Sequence, residues 1–113
     1  KMVQASRELA ERHYAVHRGK PFYESLLTFL TSGPTVAMVW EGREAVSVAR
    51  LLMGLTDGAR SAPGTIRGDF GLSVQNNLIH GSDSPENAEA EIALWFRPEE
   101  LVHYTSSDAP WIG

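Results

Sequence analysis

The chain has no cysteine, which excludes disulfides, thiolate nucleophiles and cysteine-based metal sites. No apolar run approaches the roughly 20 residues a membrane-spanning helix needs, and the first residues carry no signal-peptide pattern. The resulting expectation is a soluble, cytoplasmic protein, for which the missing cysteines are compatible with a reducing compartment. Positive charge is scarce as well, with 10 Lys and Arg against 14 Asp and Glu and a net charge of -4. No broad basic field is present, so no dedicated nucleic-acid site is expected. Any phosphate site must be assembled locally from a few placed cations. Ready-made phosphate loops are also missing: neither Gly-x-x-x-x-Gly-Lys-Ser/Thr nor Gly-x-Gly-x-x-Gly occurs.

The 113 residues and 42% hydrophobic content suit one ordinary globular domain. Met2 and Val3 read as the tail of a strand. Ser6 is an N-cap, with Glu8 in the first turn and Leu9, Ala10, His13 and Tyr14 at helical spacing after it. Arg18-Gly19-Lys20-Pro21 breaks that pattern, and Pro21 opens a second helix with Phe22, Leu26, Phe29 and Leu30 as its apolar stripe. Thr35-Val36-Ala37-Met38-Val39-Trp40 is the best strand of the sequence, and its continuous apolarity predicts burial on both faces. Residues 43 to 53 read as a helix with Arg43, Ser47 and Arg50 on a polar face and Ala45, Val48, Ala49 and Leu52 opposite. Residues 54 to 71, punctuated by five glycines and Pro63, read as a long irregular segment. Leu78 and Ile79 read as the end of a buried strand. Ser84 and Pro85 then open a helix that runs to about Phe96. Arg97-Pro98 stops it, one more helical turn follows, and the rest to Gly113 is a surface tail. Interleaved helices and strands make the class α+β or α/β.

His80 draws the chemistry to itself, because an imidazole at a tight turn can act as acid, base or nucleophile near neutrality. Arg50 and Arg67 could clamp a polyphosphate bidentately. They could equally be a cation at a helix C-terminus and a loop ion pair. His13 and His17 stand four apart, a ligand spacing on helices, but no third ligand is paired with them in sequence. They read as surface histidines, and no metal site is assigned. Arg67-Gly68-Asp69 matches an adhesion motif too short to carry weight.

The stretch Asn77-Leu78-Ile79-His80-Gly81-Ser82-Asp83-Ser84 resembles the active-site signature of the nucleoside diphosphate kinases. Ser32-Gly33-Pro34-Thr35-Val36-Ala37-Met38-Val39-Trp40-Glu41-Gly42, Pro63-Gly64-Thr65-Ile66-Arg67-Gly68-Asp69-Phe70 and Glu91-Ile92-Ala93-Leu94-Trp95-Phe96 resemble that family in the same order and spacing. The resemblance implies a ping-pong phosphotransferase in which His80 takes the terminal phosphate of a nucleoside triphosphate and passes it to a diphosphate. It implies that Arg50, Thr56 and Arg67 hold the phosphates, Asn77 the sugar, and Phe22, with Leu26 beside it, the base. Tyr14 and Ser82 would lie against the imidazole, and Glu91 would orient His80 through its other nitrogen. Mg²⁺ would ride on the nucleotide phosphates. The implied fold is α+β, a ferredoxin-like βαββαβ sandwich whose antiparallel sheet is covered by helices, with residues 54 to 71 as an inserted loop. The implied assembly is a homohexamer or homotetramer.

The family opens with a strand carrying Lys-Pro-Asp-Gly and a helix, and neither stands in these residues. The expectation is therefore a partial domain over residues 1–113, a portion of a longer product. Retention of Arg50, Arg67, Asn77, His80 and Glu91 together favours that view over a non-catalytic truncated module that binds nucleotide or partner subunits. Without that strand, Val36, Met38 and Trp40 are expected to lie bare.

Overall fold

The computed structural model describes residues 1–74 and 76–112. Strand β1 (Met2–Val3) leads into helix α1 (Arg7–His13), which Ser6 caps by accepting a hydrogen bond from the Leu9 amide. Helix α2 (Tyr23–Leu30) returns the chain to β2 (Thr35–Val36), which pairs antiparallel with β1, Met2 opposite Val36 and Val3 opposite Thr35. Helices α3 (Ala45–Met53), α4 (Ile66–Phe70), α5 (Pro85–Trp95) and α6 (Ala109–Ile112) follow. α1 packs on both α2 and α5, and α3 on α4. An antiparallel pair with helices around it is α+β, as expected.

The core is small. Ala5, Ala10, Leu27 and Met53 are the buried apolar residues among those described. Leu27, not the anticipated Phe22–Leu26–Phe29–Leu30 stripe, is the centre of α2's buried face; Phe22 and Phe29 are exposed. The best strand of the sequence is shorter and barer than predicted. It is regular only at Thr35 and Val36, with hydrogen bonds between Ala37 and Lys1 carrying the pairing one residue further. Val36, Met38 and Trp40 are 59%, 56% and 54% exposed, bare as expected rather than buried on both faces. Val48 and Leu52 of α3 are likewise exposed rather than inward-facing.

Residues 54 to 71 are more ordered than an irregular loop. Asp57 and Thr65 both act as caps, for a 3-10 turn at Gly58–Arg60 and for α4. The glycines permit close packing: a Cβ on Gly68 would stand 2.0 Å from the Ala62 carbonyl oxygen, and one on Gly58 2.5 Å from that of Gly71. At the C-terminal end the surface tail is exposed as expected, through Ile112; Gly113 lies outside the described residues.

Candidate active site

The segment ahead of His80 is not a strand. Leu78 has φ of 75° and a mostly exposed side chain, and no strand forms there among the described residues. Arginine side chains take the place of a ladder. Arg67 Nη2 donates to the Ile79 carbonyl at 2.6 Å and Arg50 Nη1 to the Gly81 carbonyl at 2.8 Å, so the carbonyls on either side of His80 are held by guanidinium groups. Gly81 lies close to the end of the Met53 side chain: a Cβ there would lie 2.5 Å from Met53 Sδ, which would have to move aside. Ser84 then caps α5 by accepting from the Asn87 amide at 3.1 Å, with Pro85 in its first turn.

His80 sits over α5 with its side chain half exposed, its Nε2 2.8 Å from Glu91 Oε2. Ser82 Oγ donates to the other carboxylate oxygen, Oε1, at 2.5 Å. Burial alone would raise the Glu91 pKa, but hydrogen bonds from His80 and Ser82 and the nearby imidazoles hold it down, at about 2. An ionised carboxylate only accepts, so His80 Nε2 must carry the hydrogen. With that hydrogen in place, the unprotonated nitrogen of the neutral form is Nδ1, which then carries the lone pair.

His13 is the functional neighbour that sequence reasoning misplaced. Its side chain is 4% exposed, not a surface imidazole. It makes edge contacts with Tyr14, His80 and Trp95, the His80 ring centroid lying 4.7 Å away. Trp95 Nε1 donates to His13 Nδ1 at 3.0 Å, which assigns that nitrogen as an acceptor. Burial and the adjacent His80 lower its pKa to about 4, so the ring is neutral at physiological pH. Two cues were present in the sequence: His13 shares a helix face with Ala10, and Trp95 lies one helical turn beyond Glu91.

A cleft of about 940 Å³ brings the anticipated residues together: Tyr14, Phe22, Leu26, Arg50, Thr56, Arg67, Asn77, His80 and Glu91 all line it. Ser82 lies outside it and reaches the site through Glu91. Phe22 presents an exposed ring at one wall, flanked by His17 at 5.3 Å and by the Lys20 ammonium at 5.8 Å. Burial raises the Tyr14 pKa, with a further contribution from Glu91, keeping its hydroxyl protonated. Arg67 is almost wholly buried, bonded also to the Gly54 carbonyl at 3.3 Å, while its Nε has no hydrogen-bond partner. Burial and the nearby Arg50 lower its pKa. Arg12 lines the same cleft, a cation beside His13 to which the sequence assigned no role in the site.

These features define a class: an α+β domain that presents an oriented, exposed histidine in an arginine-lined cleft. A family model described as nucleoside diphosphate kinase matches residues 1–101. The nucleoside diphosphate kinase of Carboxydothermus hydrogenoformans is 58% identical over 112 residues, 99% of this chain and 75% of that protein. The structure of a halophilic nucleoside diphosphate kinase from Halobacterium salinarum in complex with CDP superposes with a TM-score of 0.94 at 50% identity, covering 98% of this chain and 74% of that one. A nucleoside diphosphate kinase family protein from Babesia bovis gives 0.96 at 44% identity, covering 100% and 76%. The chain belongs to the nucleoside diphosphate kinase family, and its fold is the α+β, ferredoxin-like one of its structural neighbours. Its function is that family's phosphotransfer from nucleoside triphosphate to nucleoside diphosphate. Among the described residues no helix is long and apolar enough to cross a membrane.

Proposed function

We propose that the transferred phosphate passes through His80 in a ping-pong reaction. In the first half, the Nδ1 lone pair attacks the terminal phosphorus of a nucleoside triphosphate. The bond from that phosphorus to the bridging oxygen breaks, and the nucleoside diphosphate leaves with the electron pair. In the second half, a terminal oxygen of the acceptor diphosphate attacks the same phosphorus and the N–P bond breaks. The hydrogen on Nε2 stays in place throughout. Phosphorylation makes the ring cationic, and the Glu91 carboxylate 2.8 Å from Nε2 is placed to balance that charge as it develops. That contact, made by a half-exposed imidazole at the cleft, is the observation that carries the reading. The rest of the catalysis is positioning and charge stabilisation.

In this reading Arg50, Thr56 and Arg67 hold the phosphates, Asn77 the sugar, and Phe22 with Leu26 the base. Stacking reads a π-face that all bases share, so broad nucleobase tolerance follows. Tyr14 and Ser82 support the imidazole region. Mg²⁺ belongs to the nucleotide as a substrate ion. The cleft carboxylates, Glu91 and Asp83, are already hydrogen-bonded by His80 and Ser82 and by Asn87, which leaves the ion to phosphate oxygens and water. Residues 1–113 are read as one partial domain with an inserted loop at about 54 to 71, assembling as a homohexamer or homotetramer. The bare apolar side chains of α3 and β2 support assembly. A cytoplasmic location goes with the same reading.

Incubation with terminally labelled ATP and Mg²⁺ is expected to give an acid-labile, alkali-stable phosphoprotein that is absent in His80→Ala. Nucleotide binding without labelling of the wild-type chain would replace the catalytic reading with that of a nucleotide-binding module.

A further inference from the structure

Three side chains from separate parts of the chain bring possible ligand atoms close together: His13 at the end of α1, His80 in its loop, and Glu91 on α5. These atoms all lie within 4.8 Å of one another. We propose that this trio binds a divalent transition-metal ion of the zinc type, and that the bound ion holds the enzyme inactive.

Glu91 Oε2 lies 2.8 Å from His80 Nε2 and 3.3 Å from His13 Nδ1. Ligands of a tetrahedral zinc ion, each about 2.0–2.1 Å from the metal, stand roughly 3.3 Å apart. The cluster is therefore near the required size, and the half-exposed His80 ring has room to make the adjustment. Two imidazoles and one carboxylate form a donor set found in zinc sites that keep a fourth position open. Mg²⁺ prefers oxygen ligands in octahedral array, so the trio discriminates against it. All three residues line the cleft, so an ion can reach them from it. The lone pair of His13 Nδ1 is available in kind, since it already accepts the Trp95 indole N–H. That indole competes with a metal for the same lone pair.

Binding exchanges the ion for the hydrogen on His80 Nε2, which leaves as a proton. Nδ1 stays uncoordinated, but the metal draws electron density from the ring and occupies the carboxylate that would balance a phosphorylated imidazolium. The inhibitory half of the proposal rests on His80 being the nucleophile; the binding half does not.

The test is calorimetric titration of the protein with Zn²⁺ alone, without nucleotide, with circular dichroism to check the fold of each variant. Loss of a ligand should weaken binding at least as much as loss of an outer-shell partner, about 10- to 100-fold, in both His13→Gln and His80→Gln. Should His13→Gln fail to fold, His80→Gln decides, because that ring is half exposed. Trp95→Phe removes the competing N–H and should tighten binding by roughly 2- to 10-fold. His17→Gln should change nothing. Equal affinity in wild type and His80→Gln overturns the site, as does displacement of Zn²⁺ by Mg²⁺ at comparable concentration. A loss in His17→Gln matching that in His13→Gln moves the ion to the helical pair and also overturns it. Zinc that binds through the trio yet leaves phosphoenzyme formation unaltered overturns the inhibitory half. Absence of labelling even without zinc removes the nucleophile reading and leaves the metal site standing.

Discussion

His13 should make this protein sensitive to mild acid. Its imidazole is packed among Tyr14, His80 and Trp95, with the side chain 4% exposed. Burial, then the neighbouring His80, lowers its pKa from 6.5 to about 4, with Glu91 offsetting part of the effect. Between those two values the unfolded chain binds a proton that the native state refuses. Stability is thus complete above pH ~6.5 and falls as the pH drops toward about 4. A displacement of that size is worth about 3 kcal/mol, a large part of the ~5–15 kcal/mol that typical domains possess. Glu91 acts in the adjoining window. Its stabilising contribution is present above its ordinary 4.5 and is lost as pH falls through about 2. The substitution to make is His13→Gln, which retains an acceptor for the Trp95 indole but cannot titrate. Urea unfolding at several pH values between 7 and 4, followed by far-ultraviolet circular dichroism, should show wild-type stability falling by up to about 3 kcal/mol. The variant should start lower and fall much less. Parallel curves for the two proteins would refute the assignment of this titration to His13.

Further perturbations test other parts of the structure. Glu91→Gln keeps an oxygen for the His80 N–H but loses the charge, so single-turnover phosphorylation should slow by about 5- to 10-fold, the difference between a charge-assisted and a neutral hydrogen bond. Glu91→Ala should slow it further, by up to roughly 100-fold; an alanine variant as fast as the glutamine one would exclude an orienting role. In Gly68→Ala the new methyl would meet the Ala62 carbonyl oxygen at 2.0 Å, so a thermal melt should show a destabilised protein and limited proteolysis should cut near α4. Leu27→Ala empties the centre of the small core, where Leu27 is 1% exposed, and should cost ~2–5 kcal/mol in denaturant unfolding.

Local signals proved the most readable from sequence. Ser6, Thr65 and Ser84 all cap helices because a hydroxyl just ahead of a helical run meets free amides whatever the surroundings. Thr65 shows how such a cue is missed, since five glycines nearby suggested a loop while Gly58 and Gly68 serve close packing. Strands fared worse. The runs around residues 35 to 40 and 77 to 79 have strand composition, but a strand exists only when a second segment completes its ladder, and the first run is paired only at its start. The same limit applied to Arg50 and Arg67. Their charge suggested a phosphate clamp, and their additional bonds to the carbonyls of Gly81 and Ile79 depend on where three distant segments come to rest.

The sequence by itself determined the family, the longer helices and most of the residues gathered in the cleft, because side-chain chemistry and local spacing are written residue by residue. Only the tertiary structure decided how His80 is poised. The Glu91 carboxylate, eleven positions away along the chain, accepts a hydrogen bond from its Nε2; buried, neutral His13 packs at its edge; and two guanidinium groups hold the carbonyls on either side. Tautomer, burial and pKa are properties of neighbours in space, and those neighbours exist only once the chain has folded.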